Sequence, residues 1–428
     1  MTKSGKTGFL ALIIGIALVF AVIVLPLTGC DDGNNGNGNN GNGNNGNGNN
    51  GNDNGNSGSG NNGNGNNGGT DQTDNPPVDI MSLPPMKTQF SSYFMIGNIF
   101  NPGDVSGSSV TNTRLTRHYN ILTAENNMKP SYIAPSQGSY NFTTADSMVN
   151  AARASGFKVV GHTLLWHSQN ANWMTSSSCT PANMKTYITA VVDHFKGKIY
   201  SWDVLNEVFP DGVSASADWK TAMRSDNPWF ANQGYSFVYE GFLAARLADP
   251  AAILYYNDYN LDNSGKAMMV RNMVKAVNDK YLASSDKPVG ESAGRLLIEG
   301  IGMQSHHNTN VQASSIRATL NLFKPLGVKI SISELDVLGQ SYQDFAKAGH
   351  GPNKQGSTTV TAQGLQTQAR LYGEYFKLFI EFKDIIERVS FWGITDNQSW
   401  RSAGLPLLFD SSGKSKPAYN KVIEALGQ

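Results

Sequence analysis

A chain of 428 residues with 33 basic and 33 acidic side chains carries no net charge. The first 85 residues hold six of the acids and two of the lysines, which leaves 31 basic against 27 acidic residues beyond them. So small a surplus over more than 300 residues is no nucleic-acid footprint, and no nucleic-acid partner is expected.

The N-terminus reads as an export signal. Lys3 and Lys6 precede an apolar stretch over residues 9–27, which stops at Leu27-Thr28-Gly29-Cys30. Small residues before a lone cysteine resemble a bacterial lipoprotein signal, with cleavage before Cys30 and acylation of its thiol. A membrane-spanning anchor is the alternative, since 19 residues just cross a bilayer of ~30 Å. Both readings attach the chain to a membrane, the first through lipid on Cys30, and place the remainder in the bacterial cell envelope outside the cytoplasmic membrane. Cys179 is the other cysteine of the chain, so no intrachain disulfide is expected in the mature protein. Residues 33–69 are glycine and asparagine broken by Asp53, Ser57 and Ser59. Such a composition buries no apolar area, so residues 31–85 read as a disordered tether spanning roughly 40 Å. Three regions follow: a signal over 1–30, a linker over 31–85 and a single domain over 86–428.

Beyond residue 86, short apolar or β-branched runs alternate with longer amphipathic stretches. Strands are expected over residues 93–100, 120–126, 158–166, 200–207, 252–260, 297–306, 329–336 and 389–396. Helices are expected over 145–154, 181–195, 235–248, 266–281, 314–326 and 366–382. Eight strands with helical crossovers fit a closed parallel barrel or an open doubly wound sheet. Polar residues decide between them. Nearly every strand ends in polar or aromatic groups: Glu125-Asn126, His162 with Trp166, Asn206-Glu207, Asn257-Asp258, Gln304 with His306, Glu334 with Asp336, and Trp392 with Asp396. An open sheet gathers its ligand contacts at one switch point, whereas a barrel equips all its strand ends around one centre. The α/β fold class is therefore a single (β/α)8 TIM barrel.

Two strand ends carry the chemistry. Trp202-Asp203-Val204-Leu205-Asn206-Glu207 and Ile332-Ser333-Glu334-Leu335-Asp336 are apolar runs that close on a glutamate. Glutamate is costly to bury and a poor strand former, so two such ends point to a working carboxylate pair. A pair of carboxyl groups is the minimum equipment for breaking a glycosidic bond. Period-2 counting puts Asp203 on the side of Leu205 and opposite Asn206.

Six motifs in order carry a family likeness: Thr123-Ala124-Glu125-Asn126-Asn127-Met128-Lys129-Pro130, Gly161-His162-Thr163-Leu164-Leu165-Trp166-His167-Ser168-Gln169, the strand ending at Glu207, Gly302-Met303-Gln304-Ser305-His306, Ser333-Glu334-Leu335-Asp336 and Trp392-Gly393-Ile394-Thr395-Asp396. Together they resemble glycoside hydrolase family 10, the retaining endo-β-1,4-xylanases. The resemblance implies a general acid/base at Glu207 and a nucleophile at Glu334, ~5 Å apart across the scissile bond. It also implies a raised pKa for Glu207, so that it holds a proton near neutral pH. His306 and Gln304 resemble residues that hydrogen-bond the nucleophile, Asp336 the residue orienting that histidine, and Asp203 the partner of His162 behind the acid/base. Asn206 resembles the donor to the sugar 2-hydroxyl. Glu125, Asn126, Lys129, Trp166 and Gln169 resemble the binders of the non-reducing sugars, Trp392 and Trp400 the floor under the reacting sugar, and Tyr259 a residue of the leaving-group side. The implied partners are xylan and xylo-oligosaccharides, acted on by a monomer without cofactor or metal.

Other readings weigh less. His162 and His167 make poor zinc ligands, because strand alternation sends them to opposite faces and no His-Glu-x-x-His occurs. Gly290-Glu291-Ser292-Ala293-Gly294 fits the serine-esterase elbow, which needs a strand before the serine and a helix after it. Lys287-Pro288 precedes it and residues 295–302 read as a strand, so the match is a loop coincidence. Residues 339–358 read as an irregular loop, and residues 401–405 as a short final one. A non-catalytic surface xylan-binding lipoprotein and a mixed xylanase/β-1,4-glucanase stand as the alternatives.

Overall fold

The computed structural model describes residues 76–350 and 359–427. The signal, Cys30 and most of the linker lie outside the described residues, as does part of the 339–358 loop. Among the described residues, eight parallel strands close into a barrel: β1 Met95–Phe100, β2 Ile121–Ala124, β3 Lys158–Leu165, β4 Ser201–Asn206, β5 Ile253–Asp258, β6 Gly300–Met303, β7 Lys329–Val337 and β8 Ile386–Phe391. Each pairs with its successor, and β8 returns to β1 through Met95 opposite Arg388 and Asn98 opposite Phe391. A two-residue strand, His306–His307, extends the β6 end and pairs with Asp336 and Val337.

One long helix follows each strand: α1 Val110–His118, α2 Thr143–Ala154, α3 Pro181–His194, α4 Ser236–Ala248, α5 Ser264–Ala283, α6 Ala313–Phe323, α7 Ala362–Glu381 and α8 Pro417–Glu424. Local chemistry starts several of them. The Thr180 hydroxyl accepts from Asn183 N ahead of Pro181, and Asn263 caps α5 through Gly265 N and Lys266 N. The apolar stripe of α7, with Ala369, Tyr372, Phe376 and Phe379 at helical spacing, is buried against the barrel.

Three sequence expectations change. Residues 76–85, assigned to the linker, pack on the barrel: Ile80 is fully buried, and its carbonyl meets His118 Nε2 at 2.8 Å. The strand expected over 297–306 is confined to Gly300–Met303, because Ser305 turns the backbone left-handed at φ 61°. Residues 339–358 include a helix, Tyr342–Lys347, capped by Ser341. Its Phe345 packs with Leu338 and Ala403 in a small apolar cluster.

The barrel interior holds a charged plug. Arg388 is buried; it donates to Ser201 Oγ at 2.9 Å, lies over Tyr255 at 4.6 Å and comes within 3.7 Å of Asp203. Above it β4 departs from simple alternation. Its register against both neighbours shifts between Asp203 and Leu205. Against β5 it is β4 that carries the extra residue, and this bulge lets Asp203 and Asn206 both face inward, which corrects the period-2 count.

Candidate active site

The strand ends open into one cleft of about 720 Å³ lined by Glu207, Glu334 and the other polar groups of the motifs. Glu207 follows the last residue of β4 with φ 56°, a left-handed conformation that a β-substituted residue adopts only when its surroundings impose it. Its own N–H donates to Asn257 O at 2.9 Å. Oε1 accepts from Gln304 Nε2 at 2.8 Å and faces Asn206 Nδ2 at 3.3 Å; Oε2 accepts from Trp166 Nε1 at 2.9 Å. His167, absent from the sequence-based site, stands 3.8 Å from Oε2. Gln304 therefore serves Glu207, and not the other glutamate as the resemblance implied. Gln304 follows Met303, the last residue of β6, beside the strand that carries Asn257, and its amide also reaches Asn206 Oδ1 at 3.3 Å.

Glu334 sits inside β7 with a side chain 6 % exposed. Oε1 accepts from Asn257 Nδ2 at 2.7 Å, and Oε2 lies 3.1 Å from His306 Nε2. Burial raises its pKa, but the His306 hydrogen bond, the nearby His162 and the Asn257 amide outweigh burial and hold the carboxyl below its ordinary range. His306 Nδ1 meets Asp336 Oδ2 at 3.0 Å. Burial works against the imidazolium, yet Asp336 and Glu334 on its two nitrogens raise the pKa to about 9. Asp336 is fully buried and also accepts from Trp400 Nε1 at 3.2 Å and from Arg401. Arg401 thus adds a second positive charge beside two buried carboxylates that share one imidazolium.

The remaining predicted residues fall around this pair. His162 Nδ1 and Asp203 Oδ2 are 3.0 Å apart, and the His162 ring meets Trp392 edge-on at 5.7 Å. Lys129 Nζ donates to Gln169 Oε1 at 2.7 Å and Asn126 Oδ1 at 3.1 Å, and stands 5.0 Å over Trp166. Glu125 accepts from Asn101 at the same end of the cleft. Tyr259 lies toward the other end, where Arg224 donates to its hydroxyl and Lys266 approaches its ring to 3.3 Å. Trp392 and Trp400 both line the cleft, flanking His306 at 6.1 and 5.0 Å. Among the described residues no cluster of His, Cys, Asp and Glu is arranged to hold a metal ion. Ser292 of the esterase-like pentapeptide lies in an exposed turn, with no strand until Gly300.

Asn257, Arg401 and His167 were not assigned to the site from sequence. Asn257 was legible as a polar strand end; Arg401 and His167 had only their positions beside Trp400 and Trp166 to mark them.

A (β/α)8 barrel with two glutamates, aromatic platforms and amide donors at the C-terminal strand ends is the layout of a barrel glycosidase. Residues 85–425 match the model of glycosyl hydrolase family 10, and the chain belongs to that family. It is 34% identical over 358 residues to an endo-1,4-beta-xylanase of Geobacillus stearothermophilus, covering 80% of this chain and 98% of that protein. It is 35% identical over 355 residues to the exoglucanase XynX of Acetivibrio thermocellus, covering 79% of this chain but only 29% of that much longer relative. Among solved structures, a bacterial Ig-like domain containing GH10 xylanase from termite gut is similar at 53% identity and a TM-score of 0.76. The match covers 81% of this chain and 78% of that one.

Proposed function

We propose that this chain is a retaining endo-β-1,4-xylanase in which Glu207 is the acid/base and Glu334 the nucleophile. The observation that carries the reading is the unequal setting of two glutamates on one amide framework. Glu334 is buried between a histidine and an amide that favour its anion, while Glu207 stands at the cleft wall on Gln304 and Trp166.

In the first step a Glu334 oxygen attacks the anomeric carbon as the bond to the leaving sugar breaks, and the Glu207 proton passes to the departing oxygen. In the second, Glu207 takes a proton from water, the water oxygen attacks the same carbon, and Glu334 leaves as a carboxylate. Asn206 binds the 2-hydroxyl of the reacting sugar, an interaction that strengthens at the transition state. His306 and Asp336 keep Glu334 ionised, His162 held by Asp203 adds to the field on Glu334, and Gln304 holds Glu207. Glu125, Asn126, Lys129, Trp166 and Gln169 bind sugars on the non-reducing side. Trp392 and Trp400 offer flat faces to the reacting ring, and Tyr259 lines the leaving-group side. Substrates are xylan and xylo-oligosaccharides. NMR of the first product from xylohexaose tests the reading: a β-anomer is expected, and an α-anomer, or no hydrolysis, overturns it.

The leader supports an envelope location for this domain, held by lipid on Cys30 and set off by the Gly/Asn-rich stretch. Radiolabelled palmitate incorporated by the full chain and absent from Cys30→Ala is the expected result. Equal labelling of both would remove the lipid anchor from the proposal.

A further inference from the structure

Beneath the leaving-group side lies a buried ionisable chain that the double displacement does not use. Tyr256 and Asp258 on β5 are fully buried, and Lys266 on α5 is 1% exposed. Lys266 Nζ is 2.8 Å from Asp258 Oδ1; the Tyr256 hydroxyl donates to Asp258 Oδ2. The same hydroxyl oxygen accepts the backbone N–H of Val208 at 3.2 Å. Val208 is the residue after Glu207, and is itself fully buried. Glu207 is thus pinned on both sides by one strand, its own N–H on Asn257 O and the next N–H on the Tyr256 phenol.

We infer that Tyr256, oriented by Asp258 and Lys266, is a positioning residue that holds Glu207 in its left-handed turn and so aims its carboxyl at the leaving oxygen. The inference rests on the role proposed above for Glu207. A phenol that donates to a carboxylate has its lone pairs free for an N–H, so Asp258 fixes which way the Tyr256 hydroxyl faces. Burial raises the Asp258 carboxyl and Lys266 and Tyr256 draw it down, which leaves it at about 6. Without Lys266 the carboxyl has reason to protonate and to offer its own proton to the phenol, turning the relay around. Glu207 gains nothing from its own backbone preference at φ 56°, so release of the Val208 N–H leaves the turn free to relax. A shift of about 1 Å in a catalytic group costs on the order of 10²-fold in rate.

The test is Tyr256→Phe in the full chain, which keeps the ring and removes the hydroxyl. Two values of kcat/KM are compared, both reporting the first step: one for xylohexaose, whose leaving group needs a proton, and one for 2,4-dinitrophenyl β-xylobioside, whose leaving group does not. Competent sites are counted by stoichiometric trapping with the 2-fluoro analogue of the aryl substrate, so that rates refer to folded protein. A 10–100-fold fall with xylohexaose and less than a threefold fall with the aryl substrate is expected. Equal falls on both make Tyr256 a scaffold residue only, and no fall on xylohexaose removes its role; either overturns the inference. A wild-type chain that cleaves neither substrate overturns the xylanase reading instead.

Discussion

Asn257 and Glu334, on β5 and β7, are joined by an N–H···O bond of 2.7 Å, and the same nitrogen reaches Asn206 Oδ1 at 2.9 Å. The Ser333 hydroxyl donates to Asn257 Oδ1 at 2.6 Å, which fixes the orientation of the amide. One side chain therefore registers the nucleophile against the residue beside the acid/base. Asn257→Ala removes a hydrogen bond to a charged group, worth about 1.5–3 kcal/mol, so kcat/KM on xylan is expected to fall about 10–100-fold. Asn257→Asp adds a like charge beside Glu334 and should move the acid limb of the pH–rate profile upward. Steady-state rates between pH 3 and 8 decide both; an unchanged acid limb in Asn257→Asp would show that the amide does not act on Glu334.

The His306 pair sets the pH response. Its folded pKa of about 9 lies above the ordinary value of 6.5, so the stability it contributes is complete below 6.5 and is lost as pH rises through about 9. Glu334 and Asp336 are shifted the other way, below their ordinary values, so their contribution is present at neutral pH and is lost as pH falls through their folded values. His306→Gln keeps a donor but no charge. Its unfolding midpoint is expected to vary less between pH 6.5 and 9 than that of the unmodified chain, and the acid limb of its kcat/KM to rise. Calorimetry across that window checks the first expectation. Matching alkaline slopes in the two proteins would mean that His306 does not carry the titration.

Much of this site was open to reading from strand ends alone. Glu207, Glu334, His306 and Asp336 stand where apolar runs close on a polar group, and the barrel turns all such closings toward one cleft. What sequence hid was mostly local geometry. The β4 bulge that brings Asn206 to the same side as Asp203 adds a residue without any glycine or proline to mark it. Gln304 lies two residues from His306 and was read as its companion on the nucleophile. The left-handed turn at Ser305 separates them, sending Gln304 to Glu207 and His306 to Glu334. Helix α1 was missed because Val-Thr-Asn-Thr-Arg-Leu-Thr-Arg-His has no apolar stripe; it buries only Leu115 and His118, and its best signal is the Ser109 cap. Arg401 looks like an ordinary loop cation until the fold sets it against buried Asp336.

The placement of Gln304 has its own consequence. If its amide serves Glu207, Gln304→Leu weakens catalysis only where proton delivery is needed. A fall of about 10–100-fold in kcat/KM is expected on xylohexaose, from the loss of a hydrogen bond to a carboxyl group. With a 2,4-dinitrophenyl leaving group the change should stay within threefold. Comparable losses on both substrates would return Gln304 to the nucleophile.

Packing below the site gives a prediction about stability. Gly161 on β3 lies against Trp202 of β4, which is fully buried; a Cβ at Gly161 would come within 2.2 Å of the indole. No rotamer change of a flexible side-chain end relieves that clash, because the contact is with the ring itself. Gly161→Ala is therefore expected to destabilise the domain by about 1–3 kcal/mol, the usual cost of overpacking a dense core. Strain at this point also bears on β4, because Trp202 directly precedes Asp203 at the start of the bulge, so activity should fall with stability. Gly294→Ala is the matched control: its Cβ would meet nothing within 4 Å in an exposed turn. That change should stay within about 0.5 kcal/mol. Urea midpoints at constant slope give the difference directly. Equal midpoints for the two variants would mean that the β3–β4 contact has slack that the side-chain positions do not reveal.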